Sequence, residues 1–190
     1  MDGPGSGLAV RAPASGAELE ACAELMAASE PWVTLRRTAA ASLTILRDTA
    51  KEVWIGLVDR EFAGFMILDL RGPLCGYIQT VCIRPDLRGR GVGTAFLAWA
   101  EERIRGESPN VFLCVSSFNQ GARRLYERLG YRVVGPLTDF IVEGHDEILM
   151  RKTRGSWNAY RAAAEGDPQI SRPQERPGDS SGPSTREAHE

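Results

Sequence analysis

The stretch Arg88-Gly89-Arg90-Gly91-Val92-Gly93-Thr94 has the chemistry of an anion site. Glycines let the main chain approach a phosphate, and the free N–H groups of a following helix start point toward it. Arg88 and Arg90 add positive charge. Two phosphate motifs are excluded by the residues present. No Lys-Ser or Lys-Thr follows the last glycine, as a Walker loop requires. The dinucleotide pattern needs a third glycine, and position 96 is Phe. A tight basic turn without a ligand fits the same seven residues, so the flanking elements must decide.

Those elements are legible. Ahead of the loop, residues 75–83 form an apolar strand pattern stopped by Pro85. Behind it, residues 91–105 read as a helix whose Val92, Phe96, Leu97, Ala100 and Ile104 make one stripe. Upstream, residues 8–11 read as a short strand. Residues 15–29 form a helix with Ser15 and Glu18 at capping-box spacing, and residues 36–50 form a second helix. Residues 53–58 and 62–70 pair as strands across Asp59-Arg60-Glu61. Downstream come a strand over 110–117, a helix over 119–129 capped by Asn119 and ended by Gly130, and strands over 131–134 and 147–150. The unit from 77 to 117 implies one parallel pairing in a mostly antiparallel sheet.

Composition narrows the function classes. A chain of 190 residues accommodates one domain of about 150 residues plus tails. The expected division is a flexible segment 1–7, a domain 8–152 and a disordered tail 153–190, with a short helix around 157–164. The net charge of −2 argues against nucleic acid as a partner. No apolar run of about 18 residues predicts a membrane span, and the N-terminus has no signal pattern. Cys22, Cys75, Cys82 and Cys114 form no C-x-x-C pair, and only His145 and His189 accompany them, so no metal site is expected. These features suit a reducing cytoplasm.

Three segments together resemble the GNAT N-acetyltransferases over roughly residues 8–152: the glycine loop with Val81-Cys82-Ile83-Arg84-Pro85 ahead of it, the segment from Asn119 to Tyr131, and Asp146-Glu147-Ile148-Leu149-Met150. The resemblance implies an α/β (α+β) GNAT fold, a mixed and mostly antiparallel twisted sheet flanked by helices. It implies acetyl-CoA as cosubstrate. The main chain at Val81, Cys82 and Ile83 would hold the thioester and pantetheine. Arg88, Gly89, Arg90, Gly91, Val92, Gly93 and Thr94 would hold the pyrophosphate, and Asn119 would contact the pantetheine. Arg123 and Arg124 are weighed as phosphate contacts against simple solvated surface charge.

By the same resemblance Tyr126 stands at the position of the acid that protonates the leaving thiolate; packing in the core is its alternative role. Positions where family members carry a catalytic carboxylate hold Gln79 or Thr80, and Cys114. Tyr77 and Gln79 share a strand face by alternation, so an amine would be deprotonated through water that they hold. Glu30 and Trp32 are candidates for the acceptor pocket. The expected activity is transfer of an acetyl group to a primary amine of a small molecule or peptide, by a monomer or homodimer. The alternative is a CoA-binding regulatory module that has lost catalysis.

Overall fold

The computed structural model describes residues 7–166. The elements are β1 (Leu8–Arg11), α1 (Gly16–Ala27), α2 (Ala39–Leu46), β2 (Glu52–Val58), β3 (Glu61–Asp69), β4 (Tyr77–Ile83), α3 (Val92–Arg105), β5 (Asn110–Ser116), α4 (Gln120–Arg128), β6 (Arg132–Val142), β7 (His145–Thr153) and α5 (Trp157–Gly166). A 3-10 turn at Pro85–Leu87 leads into the glycine loop.

The seven strands form one sheet in the order β1-β2-β3-β4-β5-β7-β6, antiparallel except for β4 beside β5. Alternation along β3 divides its side chains between two cores. Phe65 and Ile67 pack with Cys22, Met26 and Leu46 from α1 and α2. Met66 and Leu68 pack with the α3 residues Phe96, Leu97, Ala100 and Ile104. All five residues of the predicted α3 stripe are buried. Leu125, Tyr126 and Leu129 of α4 lean on this second core.

The parallel pair is short. β4 and β5 are in register only at Tyr77 with Phe112 and Ile78 with Leu113. Their outer edges stay paired, β4 with β3 as far as Ile83 and β5 with β7 along its whole length. The strands therefore part beyond Ile78 and leave a wedge. A β-bulge marks the same place: Ile67 faces Thr80 and Leu68 faces Ile78, so Gln79 is the extra residue. Bulges bend the strand that carries them and re-aim a side chain.

Gly76 fixes the start of the wedge. Its φ is +91°, and its carbonyl accepts the Phe112 N–H at 2.9 Å. An added Cβ would collide with the Asn110 carbonyl oxygen and lie 2.8 Å from Ile104 Cγ2. Gly76→Ala is expected to lower stability by at least ~1–3 kcal/mol, the cost of a strained backbone position. Denaturant unfolding checks this, and a loss under about 0.5 kcal/mol, the scale of an ordinary surface change, would contradict it.

Several boundaries differ from expectation. α2 begins at Ala39 instead of residue 36, because Arg36 has a φ of +54° and Thr38 supplies the N-cap, accepting the Ala41 N–H at 3.1 Å. β6 runs to Val142, well past residue 134. Gly135-Pro136 interrupts the strand pattern, but β6 is an edge strand, where proline is tolerated. β7 spans 145–153 instead of 147–150. At α1, Ser15 caps the Glu18 N–H, while the Glu18 carboxylate takes the Ala14 N–H and Arg11 in place of the reciprocal Ser15 N–H. The short helix expected around 157–164 forms as α5 and runs to Gly166; its Tyr160 hydroxyl donates to the Arg105 carbonyl at 2.9 Å. Residues 1–6 and 167–190 lie outside the described residues.

Candidate active site

The glycine loop opens one side of the wedge. Gly91 is the N-cap of α3 with a φ of +83° and no side-chain cap, and the first helical bond runs from Ala95 N–H to the Gly91 carbonyl at 3.0 Å. The preceding amides of the first turn therefore lack helical partners. Cβ atoms added at Gly89 (φ +75°) or Gly91 would meet nothing within 4 Å, so this backbone borders open space. A groove of about 710 Å³ is lined by Val81, Cys82, Ile83, Arg88, Gly89, Gly91, Gly93 and Thr94 on one wall and by Asn119, Gly121, Leu125, Tyr126 and Arg128 on the other. A helix start with free amides, adjoining a groove, fits a pyrophosphate and its pantetheine arm.

Not every predicted loop residue faces that groove. Val92 is buried in the α3 core, so only its main chain is available. Arg90 is exposed and absent from the lining. The Arg88 guanidinium is engaged, donating to the Ile83 carbonyl and to Ser29 Oγ, each at 3.1 Å, and ties the loop to β4 and the end of α1. Arg123 pairs with Glu127 at 3.0 Å; neither it nor Arg124 lines the groove, whereas Arg128 does. Gly91→Asp forces a side chain into a positive-φ position and puts negative charge beside the groove. Acetyl-CoA affinity is expected to fall by more than about 100-fold, the effect of losing roughly 3 kcal/mol. Calorimetry on the folded variant measures it.

The groove runs into a junction of about 140 Å³ between the parted strands. Both cavities share Glu30, Trp32, Val81, Asn119, Ala122 and Tyr126. Asn119 Oδ1 accepts the Ala122 N–H at 3.2 Å as the α4 cap, leaving its amide nitrogen for other use. Tyr126 sits in the last turn of α4, which ends in a Schellman motif: Gly130 N–H bonds the Glu127 carbonyl and Tyr131 N–H bonds the Tyr126 carbonyl, each at 3.0 Å. The Tyr126 ring also meets Tyr131 edge-on at 5.9 Å. Burial pushes the Tyr126 phenol up to about 12, so it stays protonated at neutral pH.

From β4 the junction receives Tyr77 and Gln79. Burial, then the neighbouring Cys114, raises the Tyr77 phenol well above its ordinary range. Gln79 Oε1 is buried without a hydrogen-bond partner, an unsatisfied acceptor in a residue that lines the junction. Burial also raises the Cys114 thiol, which disfavours the nucleophilic thiolate.

The junction also holds a carboxylate that sequence reasoning missed. Glu147 of β7 faces Ser116 of β5 across the sheet, and Ser116 Oγ donates to its Oε1 at 2.5 Å. Glu147 is 3% exposed, and burial raises its carboxyl above the ordinary range despite the serine bond. Its sequence signal was an acidic residue opening an apolar strand, with nothing to say which strand it would oppose.

A third cavity of about 480 Å³ continues on the far side of the sheet, sharing Trp32, Tyr77, Gln79, Thr80, Cys114 and Ile141 with the junction. Trp32 lines all three spaces. Glu30 is exposed at the groove and junction, and its carboxylate accepts the Thr34 N–H at 3.3 Å. Arg37, also unforeseen, lines the far cavity.

Comparison with known proteins agrees with this geometry. The sequence matches the profile of the Acetyltransferase (GNAT) family over residues 19–131, more than half of the chain. It is 35% identical over 81 residues to an uncharacterized N-acetyltransferase of Methanocaldococcus jannaschii, across 42% of this chain and 52% of that one. It is 32% identical over 79 residues to the blasticidin-S acetyltransferase of Streptomyces morookaense, across 38% and 58%. The chain thus spans about half the length of the curated relatives it matches. An aminoglycoside 6'-N-acetyltransferase complexed with coenzyme A shares the fold, with a TM-score of 0.63 at 14% identity over 77% of this chain and 96% of that one. With its glycine loop, its parted parallel strands and this match, the chain belongs to the GNAT family of acetyltransferases.

Proposed function

We propose that this chain is an acetyl-CoA-dependent N-acetyltransferase that moves the acetyl group directly from the thioester to a primary amine. One observation carries the reading. The groove beside the glycine loop and the cavity on the far side of the sheet meet at a junction bordered by the Tyr77 and Tyr126 phenols, the unpartnered Gln79 amide oxygen and the Glu30 and Glu147 carboxylates. Acetyl-CoA would supply the activated acyl group from the groove, and the amine would enter from the opposite side.

The chain's own residues account for the proton movements. An ammonium with an ordinary pKa near ~10.4 must lose a proton before it attacks. Gln79 Oε1 accepts from the ammonium, and Glu147 takes a proton from it, directly or through one water. The unpaired edge of β4 beyond Ile78 offers main-chain donors for charge developing on the carbonyl oxygen. As the new C–N bond forms and the C–S bond breaks, Tyr126 gives its proton to the departing sulfur, and the second proton lost by the amine nitrogen passes to the Tyr126 phenolate, directly or through water. Glu147 releases its proton to solvent in turn. Cys114, held as the thiol, is left out of the transfer, which favours direct attack over an acetyl-cysteine.

Glu147 in the junction supports the catalytic reading over a CoA-binding module, whose main argument is a missing carboxylate. The similarity to a blasticidin-S acetyltransferase supports a small-molecule acceptor. No helix among the described residues is long and apolar enough to cross a membrane. Cys22, Cys75, Cys82 and Cys114 are free thiols, and this cysteine usage supports a reducing, cytoplasmic setting. Thiol release from acetyl-CoA over a panel of primary amines tests the proposed activity. Amine-dependent release is expected. Tight acetyl-CoA binding with no release on any amine would favour the non-catalytic module.

A further inference from the structure

The far cavity has one charged residue in its described lining, Arg37. Its other walls are Met26, Trp32, Ile45, Leu74, Leu137, Phe140 and Ile141, together with the junction residues. Leu74, Phe140 and Ile141 are among the exposed large apolar side chains, at 39%, 59% and 39% exposure, so an apolar rim surrounds the opening. The Arg37 Nε is buried and has no hydrogen-bond partner. No carboxylate among the described residues forms an ion pair with Arg37.

A buried donor on a permanent cation is costly to leave unpaired, and a planar guanidinium suits a carboxylate. The charge order along the passage is polar. Glu147 lies at the junction, where the amine must react, and Arg37 lies in the cavity beyond it. A polycationic acceptor would meet Arg37 unfavourably. A single guanidinium matches one negative charge; a phosphate dianion would leave one charge unmatched, because Arg37 is the one cation in the described lining.

We propose that Arg37 is the anion-recognising residue of the acceptor site, and that the acceptor is an amine bearing a carboxylate and an apolar group between the two. The inference rests on the acetyltransferase reading for the amine's position, while the anion subsite itself can be tested without turnover.

The probes are 4-phenylbutyrate and its uncharged amide, titrated by calorimetry into CoA-saturated protein. Wild type should bind the carboxylate about 10- to 100-fold more tightly than the amide, the scale of a hydrogen bond to a charged group. Arg37→Gln should abolish that preference, and Arg37→Lys should retain part of it. Equal affinities in wild type, or an unchanged preference in Arg37→Gln, would overturn the proposal. A preference that depends on Arg37, in a protein that acetylates no amine, would uphold the anion subsite and refute the acetyltransferase reading instead.

Discussion

Replacing Tyr126 by Phe is expected to lower turnover by about 10²–10⁴, the usual contribution of a positioned proton donor. The substitution removes only the hydroxyl. The ring keeps its edge-on contact with Tyr131, and the Schellman bonds that hold the end of α4 are main-chain bonds. Acetyl-CoA affinity should therefore stay near wild type. A purely structural role would predict equal losses with every acyl donor. An acid role predicts a smaller loss when the leaving thiolate is a weaker base, as with an aryl thioester. Stopped-flow rates on both donors separate the two, and full activity of Tyr126→Phe on acetyl-CoA would exclude the acid role.

Replacing Glu147 by Gln is the second large expected effect, a fall in kcat/KM of about 10²–10⁴. The side-chain amide of Glu147→Gln can still accept the Ser116 hydroxyl, so the packing survives while the base is lost. A base must be ionised, so wild-type kcat/KM should rise with pH through the Glu147 ionisation. Burial raises that ionisation above the ordinary carboxylate range. Deprotonation through water held by Tyr77 and Gln79, the sequence-based expectation, predicts no such carboxylate ionisation in the profile. The acidic limb of the pH profile should disappear in Glu147→Gln. Stability should move the opposite way. A carboxyl with a raised folded-state pKa costs nothing below its unfolded pKa, and the fold loses stability as pH rises from there through the folded value. Glu147→Gln should thus melt higher than wild type at neutral pH and equally at low pH. Unchanged activity together with unchanged melting would remove Glu147 from the account.

Local signals made the cosubstrate side of the site legible. The α3 stripe, the glycines before it, the Asn119 cap and the Gly130 terminus each act within one or two turns, and each appears where the residues predict. The acceptor side depends on relations across the sheet. Glu147 comes to face Ser116 because β7 lies against β5, and Arg37 follows a turn through Arg36 at positive φ before α2. Alternation puts Tyr77 and Gln79 on one face, and both line the junction. It did not anticipate that Gln79 is the bulged residue where β4 leaves β5. Edge position also hid the length of β6, since its proline reads as a breaker only in a central strand.

We propose that the wedge between β4 and β5 holds the reacting thioester against Tyr126. A crystal structure of the acetyl-CoA complex tests it most directly. The pyrophosphate is expected on the amides of residues 89–94, the pantetheine along β4 from Val81 to Ile83, and the thioester sulfur within hydrogen-bonding reach of the Tyr126 hydroxyl. A complex with the pyrophosphate away from that loop, or with the sulfur outside the junction and beyond reach of Tyr126, would contradict it.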